Sequence, residues 1–215
     1  MQGLVPKRGS SDSVDGPPRP RIGPFALILL AGLAVAGVGA GDERAPRGAS
    51  AAGPGEAEAF FRAVLDGGGL PAAWVAESPP EIADGREGLT SLFDGAADAL
   101  WQKGLRKAAL QVFRPTGSGG GSLELLRYRF AGDGSARAFM EDNCPSGKGE
   151  PDPSCGRITS CLAEQESLTQ AFFQVNGQIL EARAYGDREL RRKTMQRLPS
   201  GFCRIASSGR EPPMK

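Results

Sequence analysis

Histidine is absent from the 215 residues. Its absence excludes Ser-His-Asp and Cys-His nucleophile systems, imidazole metal ligands, His-held haem and any imidazole acid–base group at neutral pH. Charge of one sign is also lacking. Lys and Arg number 26 against 25 Asp and Glu, giving net +1 and a pI near 7.6. A general nucleic-acid binder carries a basic excess and a pI above about 9, so no nucleic-acid partner is expected. Cys-x-x-Cys does not occur, which speaks against a redox pair or a zinc ribbon. The Gly-rich stretch at 115–122 lacks the GxxxxGK[ST] pattern that cradles phosphate. No cofactor, metal site or catalytic residue is therefore expected. Apolar residues make up 40% of the chain, beside 31 Gly and 17 Pro. That excess belongs to tails and loops around a core smaller than the chain, and the length suits one domain plus extensions.

Long hydrophobic runs are scarce, and the one present lies near the start. Residues 1–21 are polar, with Lys7, Arg8, Arg19 and Arg21 outnumbering Asp12 and Asp15. Ile22 to Gly41 then carry no charge. A basic flank, an apolar stretch and the small-residue end Val38-Gly39-Ala40 fit a secretory signal. Twenty residues at about 1.5 Å each also just span a hydrocarbon core of about 30 Å, so an uncleaved membrane anchor fits as well. Residues 1–40 are expected to be a signal peptide or an anchor, with the membrane a partner in the second case. Residues 41–55 form a small-residue linker, 56–205 a single disulfide-stabilised domain, and 206–215 a disordered tail.

Cysteine is sparse but even in number: Cys144, Cys155, Cys161 and Cys203. Four Cys downstream of an export signal imply two disulfides and an extracytoplasmic setting, with three possible pairings. Cys144 and Cys155 bracket a polar loop, so the expected pairing is Cys144–Cys155 and Cys161–Cys203.

The periodicities predict an α+β domain. Ala57, Phe60, Phe61 and Val64 mark a helix over 56–65. Pro71, Pro79 and Pro80 argue against regular structure over 70–83, where Trp74 is expected to plug a core edge. Leu89, Leu92, Phe93, Ala96, Ala97 and Leu100 form one stripe of a continuous helix over 85–103, stopped by Gly104. Strands at 107–114 and 123–130 make a first hairpin. In the second strand Leu126, Tyr128 and Phe130 share a face with Glu124, while Arg127 and Arg129 point away. Ser135 caps a helix over 136–141. Strands at 169–175 and 178–185 flank Asn176-Gly177, a type I′ turn signal. A last helix over 188–198 has Leu190, Thr194 and Leu198 inside, Arg188, Arg192 and Lys193 outside, and Arg191 and Arg197 at the margins. The expected architecture is an antiparallel sheet of about four strands in two hairpins, with helices on one face.

Leu92-Phe93-Asp94-Gly95-Ala96-Ala97-Asp98, followed by Gly104-Leu105 and Ala138-Phe139, resembles an uncharacterised family of exported bacterial proteins, a domain of unknown function. That family carries aromatic-Ile-Asn-Gly-Ala-Ala-Glu on a helix. The resemblance covers about a quarter of the chain and implies an exported single domain, with no catalytic residues to transfer.

Two surface groups are candidates for contact. Asp94 and Asp98, four apart on a predicted helix with Gly95 between them, suit a ligand or a cation contact. Gly95 is expected to permit close approach of another backbone. Arg188, Arg192 and Lys193 offer an anion or phospholipid-headgroup patch. Together these features point to a non-catalytic extracytoplasmic domain that binds a small ligand or an envelope partner. The alternative is a carboxylate-based hydrolase using Asp94 and Asp98, or the region of Glu124, as two shielded acids.

Overall fold

The computed structural model describes residues 54–70, 73–116, 120–145, 149–153 and 155–207. Contacts divide the chain into Met1–Glu43 and Arg44–Lys215. The apolar run, the linker up to residue 53, the centre of the Gly-rich turn (117–119) and residues 208–215 lie outside the described residues. Among the described residues no helix is long and apolar enough to cross a membrane.

The described elements are α1 (Pro54–Gly68), β1 (Trp74–Ala76), β2 (Glu81–Asp84), α2 (Gly85–Phe93), α3 (Ala97–Gln102), β3 (Leu105–Pro115), β4 (Gly121–Phe130), α4 (Asp133–Asn143), β5 (Glu150–Asp152), β6 (Cys155–Glu164), β7 (Leu168–Val175), β8 (Gln178–Gly186) and α5 (Arg188–Ser207). The strands form one eight-stranded antiparallel sheet in the order β1-β3-β4-β8-β7-β6-β5. β2 lies beside β1 on the same edge of β3. The two central hairpins match the sequence expectation, and Asn176 and Gly177 have the positive φ of a type I′ turn, 46° and 72°.

The expected four strands are thus corrected to eight. The missed ones are short or irregular. β1 and β2 flank Pro79-Pro80, and β5 contains Pro151. All three sit at sheet edges, where a residue lacking an N–H does no damage. β6 is rich in small polar residues and bulged, so it shows no clean alternation.

Helices cover both faces rather than one. β4 explains why: Leu123 and Leu125 are buried on one side, Leu126 and Tyr128 on the other. On the first face α1 and α5 pack Phe60, Phe61, Val64, Leu198 and Phe202 against Phe113, Leu180 and Ala182. On the second face α2, α3 and α4 pack Leu89, Leu92, Ala97, Phe139 and Met140 against Tyr128, Phe130, Phe172 and Ile179. Each such large side chain contributes about 1.5–3 kcal/mol on burial. Trp74 packs against the first cluster, as expected of a core plug.

The predicted single helix over 85–103 is broken. Gly95 takes φ +73°, a conformation only Gly adopts cheaply, and splits the stripe into α2 and α3. A Cβ there would meet nothing within 4 Å, so close backbone approach does not explain this glycine. α4 starts two residues before Ser135, with Gly132 at its N-cap position. α5 runs through Pro199 to Ser207, so the expected tail loses its first two residues to a helix. Pro199 is tolerated at a cost of a missing hydrogen bond.

The disulfide pairing also differs. Cys144 joins Cys161 and Cys155 joins Cys203, with Cα–Cα distances of 5.9 and 6.1 Å. In β6 the register moves from Thr159 opposite Pro151 to Cys155 opposite Asp152. Residues 156–158 therefore bulge and reverse the facing of the strand. Cys155 consequently looks toward α5 while Cys161 looks toward α4. Loop closure over 17 and 48 residues gives stabilisations of about 3 and 4 kcal/mol. Replacing Cys155 and Cys203 together by Ala should cost more stability than replacing Cys144 and Cys161. Denaturant unfolding of the two double variants checks that order, after non-reducing peptide mapping of the parent.

Where α1 and α5 cross, backbones touch. A Cβ on Gly201 would collide with the Val64 carbonyl oxygen, and one on Gly68 would come within 2.8 Å of the Arg197 carbonyl oxygen. Gly201→Ala should destabilise the domain by about 1–3 kcal/mol through overpacking. Gly156, with open space around it, should accept Ala with a change below about 0.5 kcal/mol in the same unfolding measurement.

Candidate functional site

Among the described residues the helices α2–α4 cover only part of their face, and the rest of it carries polar groups. β4 and β8 set Glu124 opposite Arg183 and Leu126 opposite Glu181. β7 and β8 set Gln170 opposite Arg183 and Leu168 opposite Tyr185. Residues directly opposite share a face, so Glu124, Tyr128, Gln170, Glu181, Arg183 and Tyr185 stand together.

Glu181 is the hub, 2% exposed. Tyr128 O–H donates a short hydrogen bond to its Oε2. Gln170 Nε2 donates to Oε1 at 2.7 Å and Arg183 Nε to the same oxygen at 2.5 Å. A charge at this depth persists only when paired and hydrogen-bonded, and Glu181 has both kinds of partner. Burial and the adjacent Glu181 charge push the Tyr128 hydroxyl well above its ordinary value. Burial works against the Arg183 charge, but Glu181 beside it more than compensates and keeps Arg183 protonated.

Glu124 is less well served. Its residue is 9% exposed, and its nearest cation is Arg183 Nη1 at 3.8 Å. Among the described residues no group donates a hydrogen bond to it. Burial lifts its carboxyl above the ordinary range; Arg183 opposes this and Glu181 adds to it. Tyr185, half-buried, is raised by burial and then by Glu124. Half-buried Leu110, Val112 and Leu168 border the polar group on the same face.

In structural comparison the chain is similar to the extracellular domain of PknH from Mycobacterium tuberculosis. Identity is 10%, the alignment covers 70% of this chain and 94% of that one, and the TM-score is 0.43. A similarity of that degree fixes neither family nor function. No protein-family model matches the sequence, and no curated protein is similar to it.

The residues singled out from sequence lie elsewhere. Asp94 is exposed in the turn between α2 and α3, and Asp98 is exposed in α3. Arg86 Nε donates to Asp98 at 2.7 Å and holds its carboxyl below the ordinary range. The helix break removes the i, i+4 relation, so the two acids are not the shielded pair that a hydrolase needs. Of the basic group on α5, Arg188 pairs with Glu164 at 3.0 Å and Lys193 with Glu189 at 2.7 Å, while Arg192 is exposed. Arg191, expected at the margin, is 1% exposed and donates to the carbonyls of Gln165 and Glu166. No group of three or more Cys, Asp or Glu able to hold a metal occurs among the described residues.

On the opposite face a cleft of about 20 Å³ lies between α1 and the sheet, beside Glu56, Ile82, Lys107, Arg127 and Arg129. That volume holds about one water. Arg127 lies over the Phe60 ring at 4.1 Å and donates to Gln178 at 2.9 Å, so it acts as a tie between α1 and the sheet.

Glu124 was legible as an acid on a buried parity, next to Leu126, Tyr128 and Phe130. Glu181 and Arg183 carry no such signal, since alternation with Leu180, Ala182 and Ala184 in β8 reads as a solvent-facing side of the strand. The raised Glu124 carboxyl has a consequence for stability. Its contribution is full below the ordinary carboxylate range and is lost as pH rises through the raised value. Glu124→Gln cannot ionise. Its Tm relative to the parent should therefore be higher at pH 7 than at pH 4, as thermal unfolding at the two pH values will measure.

Proposed function

We propose that the chain is an extracytoplasmic, non-catalytic binding domain of the cell envelope, exported by the segment Ile22–Gly41. The observation that carries the setting is the pair of disulfides that tie β6 to α4 on one face and to α5 on the other. Bonds of this kind persist in oxidising compartments. The recognition surface is the open part of the sheet around Glu124 and Tyr185. Binding fits this surface better than turnover does. Glu181, the second carboxylate, has donors on both oxygens and is only 2% exposed. A hydrolytic pair needs both acids available.

The test is made on intact cells producing the full-length chain. Added protease should degrade it from outside the cytoplasm, and alkylation under denaturing conditions should find no free thiol. A cytosolic product with four alkylated cysteines overturns the setting. Hydrolysis of an envelope ester, amide or glycoside by the purified chain, abolished in Glu124→Gln, overturns the non-catalytic reading.

A further inference from the structure

We propose that the outward face of α5 docks on a layer of anionic lipid headgroups. The inference goes beyond the binding-domain reading above and concerns the other side of the sheet from Glu124. Its starting point is an uneven distribution of charge. The chain as a whole is net +1. α5 alone carries six cations and one acid, Glu189, so it is net +5 and the rest of the chain sums to −4. From Leu190 to Ser207 it contains no acid.

Packing sorts these charges. Met195, Leu198 and Phe202 face the sheet, and Arg191 turns in to the β6–β7 turn. The other five cations, Arg188, Arg192, Lys193, Arg197 and Arg204, are exposed. At 3.6 residues per turn, Arg192, Lys193, Gln196, Arg197, Ser200 and Arg204 share one arc of about 140°. Local pairing does not cancel the charge. Arg188 is matched by Glu164 and Lys193 by Glu189. Arg192 and Arg204 make no salt bridge among the described residues, and Arg197 donates to a neutral group, the Gly69 carbonyl. Counting the exposed Glu58, Arg62 and Asp66 of the adjacent α1 leaves the outer surface of the two-helix layer at +3. The helix macrodipole explains a cation in the last turn, Arg204, but not Arg192 and Lys193 in the second turn.

The partner follows from the surface and from the chain. Among the described residues no large apolar side chain is exposed on α5, so the face suits contact with headgroups rather than insertion into acyl chains. Twelve residues separate Gly41 from Pro54, the first residue of α1. At full extension they span about 40 Å. With Ile22–Gly41 held in a bilayer, a domain on so short a tether meets that bilayer at high effective concentration. A weak electrostatic contact suffices under that condition.

The oxidised full-length chain is loaded into nanodiscs of phosphatidylcholine, or of an equal mixture of phosphatidylcholine and phosphatidylglycerol, each with a trace of gadolinium-chelating lipid. Paramagnetic relaxation of the Gln196 and Ser200 amide signals reports approach of α5 to the headgroups. The Asp98 signal, on the exposed α3 surface, reports the other side of the domain. In the mixed discs relaxation at Gln196 and Ser200 should exceed that in phosphatidylcholine, and that at Asp98, by about fivefold, the effect of roughly one cation at an anionic surface. Half-molar salt should abolish the difference. So should the triple variant Arg192→Gln, Lys193→Gln, Arg204→Gln, whereas Arg192→Lys with Arg204→Lys, which keeps the charge, should retain it. Equal relaxation in the two discs, or a difference that survives in the triple variant, overturns the proposal. Shifts of the Gln196 and Ser200 signals on addition of polyglutamate, without lipid-dependent relaxation, assign the face to an acidic polymer and overturn it as well. The localisation and thiol measurements above do not involve α5, so the two readings fail separately.

Discussion

A sheet buried on both faces needs two helical layers, and this chain supplies them unequally. On the first face the long helices α1 and α5 pack closely enough for backbone contact at Gly68 and Gly201. On the second, α2, α3 and α4 are shorter and pack over Ala83, Leu105, Ala108, Leu126, Tyr128, Phe130, Phe172 and Ile179. The rest of that face must be stable while partly wet. Polar side chains at inward positions of β4, β7 and β8 satisfy this condition, and they do so through one buried carboxylate with three donors. The same inequality of cover produces both the ion cluster and the surface open to a ligand.

The cluster is a rigid unit as well as a charged one. Glu181 ties three neighbouring strands together through Tyr128 on β4, Gln170 on β7 and Arg183 on its own strand. Removal of one partner from such a network costs more than the pair contributes, because the remaining charge stays buried. Arg191, reaching from α5, plays a comparable part just before β7, where its guanidinium holds the carbonyls of the β6–β7 turn.

Much of the fold was legible in sequence where periodicity was strong. The stripe of Ala57, Phe60, Phe61 and Val64, the alternation in β4 and the Asn176-Gly177 turn each specify one local answer. The reading failed where a local signal was ambiguous. Gly95 does not interrupt the apolar period, so a helix in two pieces looks like one. β1, β2 and β5 are three or four residues long and lie beside prolines. The disulfide pairing depends on a bulge in β6 that composition does not announce. Among the candidate residues, Asp94 and Asp98 attracted notice by spacing, yet they lie on the surface. Glu124 gave the more useful signal, a charge followed on the same face of its strand by Leu126, Tyr128 and Phe130. The depth of Glu181 and Arg183 depends on Tyr128 and Gln170 on other strands, beyond the reach of any local pattern.

The crossing of α1 and α5 joins the two ends of the domain, and the bond from Cys155 to Cys203 does the same for its second half. Neither can form before the last twenty residues of the domain are present. The chain closes like a ring whose clasp is made last, and a product truncated before Gly201 lacks the helix crossing, Phe202 and the second disulfide. Early species therefore present apolar strands to their surroundings, and the pairing of distant segments makes for slow folding. For a polypeptide made from one end to the other, this order of events makes completion of the C-terminus the checkpoint on the whole domain.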